Sequence, residues 1–284
     1  MKVTQVLESL ESKNIIFHYC TSLTAIEHIL FKKELRLSPR KHSNDPIEKT
    51  VFQISYGGEV TDKNFESRTK EKTEEIYQSL KKRNINVRQV CFCMNDTAVQ
   101  KKSNPYPHEY FGFLKPRMWD QYGNNYEGVC LAFDKVEILK NRNIELKRKI
   151  GYVNFEEFGQ DYLKIDQNEV DQYGVHVCRE FLVNKLDKLF YRKHVDYKGE
   201  NEYKVCSFTE KHYDYIDIER SIKAIICFPK LINDYCHMTL INYSKKLKVP
   251  LLYLSMDNDG LKMDVEQYCN QLLITGYRNK KNYH

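Results

Sequence analysis

Two glutamates spaced i, i+2 stand in the segment Tyr197-Lys-Gly-Glu200-Asn201-Glu202-Tyr203-Lys204-Val205. The segment reads as a short strand, on which alternate side chains share a face. Glu200 and Glu202 then point one way, and Asn201 and Tyr203 the other. Like charges side by side repel, and they lose hydration where their face lines a cleft. One use for such a pair is chemistry on a cationic transition state. The structural alternative is a solvated edge strand whose gatekeeper charges have Lys198 and Lys204 as partners. Spacing alone does not choose between them.

Three other groups carry chemistry. His18-Tyr19 ends a predicted strand just before Thr21 and Ser22, either of which can cap a helix. A histidine there can offer a ring nitrogen to a ligand hydroxyl beside helix-cap donors that favour anions, or simply be satisfied by backbone. Asn44-Asp45-Pro46-Ile47-Glu48 is a turn by composition, its Asp45 or Glu48 able to orient Arg36 or Arg40. Trp119, the sole tryptophan, and Tyr122 share a helix face at i, i+3; they can wall a slot for an aromatic ring or plug the core. The chain has no Gly-rich dinucleotide or P-loop cradle, no serine nucleophile elbow and no two-histidine metalloprotease helix.

The elements that must position these residues alternate irregularly. Buried strands are predicted at Asn14–Tyr19, Val87–Met94, Gly128–Phe133, Ser221–Phe228 and Pro250–Met256, with shorter ones at Leu35–Ser38 and Lys149–Phe155. Helices are predicted over the first twelve residues, from Thr21 or Ser22 to about Lys33, over Met118–Tyr126, over Val175–Tyr191 and over Pro229–Leu247, the last with proline in its first turn. Residues 61–86, polar with few apolar anchors, read as an exposed helical excursion. Residues 97–117, with Pro105 and Pro107, read as a loop over the cleft. With no repeat and no Gly/Ser linker, residues 1–284 are expected to form one α+β domain with flanking helices and loop insertions.

Composition narrows the context. Forty-five basic and 39 acidic residues give +6, too mild to argue for nucleic acid. Twenty-one tyrosines suit a ligand cleft as well as a wet core. The first sixteen residues lack an apolar signal core, and no apolar run approaches the ~18 residues that span a bilayer. A cytoplasmic location without membrane contact is therefore expected, with the nine cysteines reduced and mostly buried. Cys91-Phe-Cys93 is too tight for the usual zinc spacing, and no metal is expected.

Taken in order, His18-Tyr19-x-Thr21-Ser22, Leu35-x-Leu37-Ser38, Asn44-Asp45-Pro46-x-Glu48, Cys91-Phe92, Met118-Trp119-x-x-Tyr122, Gly128-Val-Cys-Leu-x-Phe133 and Glu200-x-Glu202 form a set. The set resembles a bacterial family long catalogued as a domain of unknown function and marked by HYTS, FNDPxE, CFS, MWxHY, GVCxxF and ExExR segments. That family is usually grouped with the ADP-ribosyltransferase superfamily, many of whose bacterial members are toxins or phage-defence effectors. The resemblance covers roughly Phe17 to Phe228 and departs at Cys93, where the family has serine, and at Lys204, where it has arginine.

The resemblance implies a split β-sheet core and NAD as substrate, in transfer of ADP-ribose or in hydrolysis. It makes Glu202 the catalytic carboxylate within Asn201-Glu202-Tyr203, and Glu200 the first acid of the pair. His18 is implied as the ribose contact with Ser38, and Trp119 with Tyr122 as the nicotinamide wall, Tyr126 being the alternative tyrosine. Tyr19, Thr21, Asn44 and Asp45 complete the implied cleft. The acceptor, be it protein, nucleic acid, small molecule or water, and the oligomeric state stay open. The rival readings are a catalytically inactive nucleotide-binding sensor and an interaction module that docks a partner through the aromatic loop Pro105–Phe113.

Overall fold

A computed structural model of the chain describes residues 3–43, 45–49, 52–57, 63–97, 110–159, 163–229, 231–256 and 263–267. In chain order the elements are α1 (Val3–Leu10), β1 (Ile15–Cys20), β2 (Glu34–Pro39), α2 (Pro46–Lys49), β3 (Ile54–Gly57), α3 (Lys63–Asn86), β4 (Val87–Met94), α4 (Pro116–Gln121), β5 (Val129–Asp134), α5 (Lys135–Ile138), β6 (Leu146–Lys149) and β7 (Gly151–Val153). They continue with α6 (Phe155–Gly159), β8 (Leu163–Asp166), α7 (Gln167–Tyr173), α8 (Val175–Leu189), β9 (Arg192–His194), β10 (Glu202–Phe208), β11 (Asp214–Asp217), β12 (Ile222–Cys227), α9 (Asp234–Leu247), β13 (Leu251–Met256) and β14 (Met263–Gln267). A π-helical turn (Thr24–Leu30) and 3-10 turns at Arg40–His42 and Val195–Glu200 complete the set. The secondary structure is mixed α and β, as expected of an α+β chain. The chain divides into two compact units: residues 1–35, 92–141 and 216–284, and residues 36–91 and 142–215. Each unit holds a buried apolar cluster of its own, one taking in Val6, Phe17, Trp119, Ile226 and Leu254, the other Ile76, Leu80, Leu182, Leu186 and Phe190.

In the first unit β5 lies between β1 and β12, antiparallel to both, with His18 opposite Leu131 and Ile226 opposite Cys130. Its interior strand is buried along Val129–Phe133, as a run with no polar alternation predicts. Strand β13 pairs parallel with β12, and such a pair needs a crossover. Helix α9 supplies it, starting at Asp234 and not at Pro229, because the Asn233 side chain accepts from the Cys236 amide at 2.9 Å and sets the cap. Gly128 precedes β5 where a Cβ would run into the carbonyls of Cys20 and Gly123, which explains glycine at that position. The expected helix over Met118–Tyr126 is shorter: α4 ends at Gln121, and Asn124, Asn125 and Tyr126 all take positive φ.

In the second unit β10 pairs with β4 and antiparallel with β6, β2 pairs antiparallel with β4, and two parallel pairs form from β3 with β8 and β7 with β9. Residues 149–155, expected as one strand, are split. Lys149 ends β6, and Gly151–Val153 leave to pair with β9. Helix α3 matches the predicted helical segment but is no excursion. Thr73, Ile76 and Leu80 are buried, and Arg83 grips Asp187 of α8 through Nε at 2.6 Å and Nη2 at 2.8 Å. The same guanidinium stacks 3.6 Å from the Phe208 ring centroid. Arg83→Ala should cost about 1–2 kcal/mol in urea denaturation, the size of a partly buried bidentate pair plus its stacking. An unchanged midpoint would mean that α3 is held by its apolar face alone.

Candidate functional site

The two glutamates meet, although not by strand alternation. Glu200 closes the 3-10 turn that follows β9, and Asn201 takes a left-handed conformation (φ 46°, ψ 58°) that asparagine tolerates better than most residues. Glu202 then opens β10. The turn brings both carboxylates to one ammonium: Lys193 Nζ donates to Glu200 Oε2 at 2.6 Å and to Glu202 Oε2 at 3.0 Å. Lys193 is the central residue of β9, and its ammonium also sits 4.5 Å from the Tyr197 ring centroid. The expected partners differ accordingly. Lys193 takes both acids, and Lys204 pairs instead with Glu48 and donates to the Phe190 carbonyl at 3.0 Å.

Within β10, Glu202 and Lys204 sit two positions apart and both are buried, as is the whole stretch from Lys204 to Ser207. Glu48 arrives from α2 and also accepts from the Ser43 hydroxyl. Cys91, from β4, joins it: its Sγ and carboxylate oxygens of Glu48 and Glu202 lie within 4.8 Å of one another. The two lysines already supply positive charge to these acids. Tyr152, from β7, accepts from the Glu202 amide at 2.9 Å. Exposure is 1% at Glu48 and Glu200, 3% at Glu202, 2% at Lys193 and 0% at Lys204.

Charge in so dry a cluster redistributes protons. Burial pushes the Glu202 carboxyl up to about 7; Glu48 and Glu200 push the same way, while Lys193 and Lys204 oppose it. Burial also acts on Glu48, but Lys204 and Lys193 overcome it and hold that acid to about 2. Both ammonium groups are driven above their ordinary value by the surrounding acids, against burial. Glu48 is thus held in its charged form by the lysines, while burial and the neighbouring acids drive Glu202 toward its protonated form.

Asp45 does structural work beside the cluster. One carboxylate oxygen accepts from the Ile47 amide at 2.8 Å and the other from the His194 amide at 2.9 Å, tying the start of α2 to β9 next to Lys193. Ser38 lies in β2, half-buried and opposite Gln89. Asn44 lies outside the described residues.

The remaining candidates belong to the first unit. Trp119 corrects the expectation of a nicotinamide wall. It is fully buried, donates from Nε1 to the Phe113 carbonyl at 2.8 Å, and meets Tyr19 and Phe228 edge-on at 5.1 and 5.0 Å. It plugs the core because its one donor is met by backbone and its ring by other rings. Tyr19 is likewise buried, its hydroxyl donating to the Gly112 carbonyl at 2.7 Å, so it offers no ligand contact. Tyr122 is half-buried against the same core, as is Tyr126. His18 is half-buried, its ring 5.9 Å from that of Phe92. Thr21 is exposed and donates to the Thr24 hydroxyl at 2.9 Å. Of the aromatic loop, Phe111 and Phe113 are buried in the core and do not cover a cleft or present a docking face; residues 98–109 lie outside the described residues.

Lys193, Cys91 and Tyr152 were not foreseen as site residues. In sequence Lys193 is one of three basic residues, Arg192-Lys193-His194, and only the fold singles it out by burying it between half-buried neighbours. No helix among the described residues is long and apolar enough to cross a membrane. No curated protein and no solved structure matches the chain. Residues 118–205, which include Glu200 and Glu202 together with Lys193 and Tyr152, match the family described as a protein of unknown function (DUF2971).

Proposed function

We propose that the chain consumes NAD, as an ADP-ribosyltransferase or an NAD glycohydrolase, with Glu202 as its catalytic carboxylate. The observation that carries this reading is a buried glutamate raised to about 7 within a cluster of three acids and two lysines. Strongly perturbed acids of this kind are typical of catalytic sites. Breaking the nicotinamide–ribose bond sends its electron pair out with neutral nicotinamide and leaves an oxocarbenium-like sugar. A fixed carboxylate stabilises that charge, at about 3–4 kcal/mol per well-placed group. The attacking water or acceptor hydroxyl gives its proton to a carboxylate, and an acid near neutrality is suited to take it. Lys193 holds both acids in place through its two contacts. The sequence resemblance supplies the choice of NAD, and with it a role as toxin or phage-defence effector.

A second reading has its own observation. Glu200 and Glu202 are nearly fully enclosed, and Trp119 is a core plug, which suits a module that binds a nucleotide without cleaving it. Incubation of the purified chain with NAD separates the two. Catalysis releases nicotinamide, read by chromatography. The binding module gives a saturable thermal shift with NAD or ADP-ribose and no nicotinamide.

A further inference from the structure

Away from the acid cluster, the second unit holds a cavity of about 220 Å³ lined by Arg40, Lys41, Lys49, Asn84, Arg88 and His212, together with apolar groups. Five elements meet there: the 3-10 turn after β2, the end of α2, the end of α3, the start of β4 and the loop before β11. Among the described residues, no carboxylate lines it. Such a concentration of one sign of charge in a concave wall attracts anions.

Arg40 is the decisive residue. Its side chain is 6% exposed, its guanidinium lies 4.6 and 5.0 Å from the Phe52 and Phe190 ring centroids, and Nη2 reaches the Ile47 carbonyl at only 3.5 Å. Its Nε is buried without a hydrogen-bond partner. A buried guanidinium donor is costly to leave unmet, and native proteins seldom do so. The acids that act on Arg40, Glu48 and Asp45, spend their oxygens elsewhere: Glu48 on Lys204 and Ser43, Asp45 on two backbone amides. Arg88 contributes charge rather than donors, because its guanidinium is committed to the carbonyls of Ile85, Val87, Lys211 and His212. That commitment also fixes the wall that carries His212. Lys41 and Lys49 are exposed at the rim. The cations are felt locally: the His42 imidazole is pushed below its ordinary value by burial and by Lys41, His212, Arg36 and Arg88.

We infer that this cavity is a binding site for the phosphate group of a small phosphomonoester, with Arg40 as a buried cation in its wall and Lys41 and Lys49 as rim cations. Its volume lies below the ~300–1,000 Å³ of drug-sized pockets, which fits a phosphate with a sugar and excludes an enclosed dinucleotide. A phosphate would draw the Lys41 and Lys49 side chains inward, as charge-assisted hydrogen bonds do, and would feel the buried Arg40 charge behind them.

Ribose 5-phosphate and inorganic phosphate are titrated into the full chain by calorimetry, with ribose as the uncharged control and a short single-stranded DNA as a separate arm. Ribose 5-phosphate should bind saturably and ribose should not. A Lys41→Ala/Lys49→Ala double variant, altered only at exposed positions, should bind at least about tenfold more weakly. No heat with either phosphate, undiminished affinity in the double variant, or binding of the DNA alone would each overturn the assignment. Nicotinamide release reports on the Glu202 cluster and phosphate heat on this cavity, so the two sites fail or stand separately.

Discussion

Lys193→Met should destabilise the protein by about 3–5 kcal/mol at pH 8, the cost of removing one partner from a buried ionic group. Lys193 is shared by Glu200 and Glu202, and neither acid is exposed enough to recruit bulk water in its place. Methionine fills a similar volume, so the loss reports on charge rather than on a cavity. The sign with pH follows from linkage. Without Lys193, a cation that lowers it, the Glu202 carboxyl moves further above its unfolded value. A group whose folded pKa is raised contributes stability that is full below the unfolded pKa and fades as pH rises through the folded one. The variant should therefore recover part of its deficit as pH falls from 8 to 5, when the buried acids take up protons. Glu48 acts in the opposite sense. Held to about 2, it stabilises above the unfolded carboxylate value, and that contribution disappears only below about pH 4 as the acid is protonated. Urea denaturation at both pH values is the measurement. An equal loss at pH 5 and pH 8 would assign the effect to packing. Adding Glu200→Gln and Glu202→Gln to Lys193→Met should restore most of the stability, because an uncharged cluster needs no counter-ion.

The long apolar strands were legible because burial on both faces leaves an unbroken run. Val87–Met94 was found to the residue, and β1, β5, β12 and β13 within one or two. Helix α8 lies within the predicted Val175–Tyr191, although two of its large apolar side chains, Val177 and Phe181, are exposed. Strands β3, β8, β9 and β11 were not. They run to three or four residues, three of them pair with sequence-distant partners in isolated two-stranded sheets, and no periodicity accumulates over so short a stretch. The division into two units was hidden for a related reason. The chain crosses between the units at residues 35, 91, 141 and 215 with no linker composition to mark the crossings. At the site, the glutamate pair could be picked out by type and spacing, but its counter-ion could not. The partner of Glu202 depends on a left-handed Asn201 and on the approach of β9, both set by tertiary packing. Trp119 shows the converse limit, since helical spacing places it beside Tyr122 without saying which rings close over it.

Glu202→Gln should lower nicotinamide release from NAD by about 10²–10³-fold, the scale for loss of one preorganised electrostatic group. Its effect on stability should be small by comparison. The amide gives up a 3.0 Å contact with Lys193, yet it also removes a buried charge that burial and its acidic neighbours Glu48 and Glu200 already disfavour. At pH 8 these changes oppose each other, and the melting temperature should shift by no more than a few degrees. The wild-type rate should rise as pH increases through about 7, because only the deprotonated Glu202 carboxylate stabilises the sugar cation. The residual rate of Glu202→Gln should show no such rise. Glu200→Gln makes the assignment sharper. If Glu202 holds the cation and Glu200 takes the acceptor's proton, this second variant keeps more nicotinamide release than Glu202→Gln but transfers less ADP-ribose. Full nicotinamide release by Glu202→Gln would remove it from catalysis. Loss of activity together with a collapse of the melting temperature would instead place the whole cluster among the interactions that hold the second unit together.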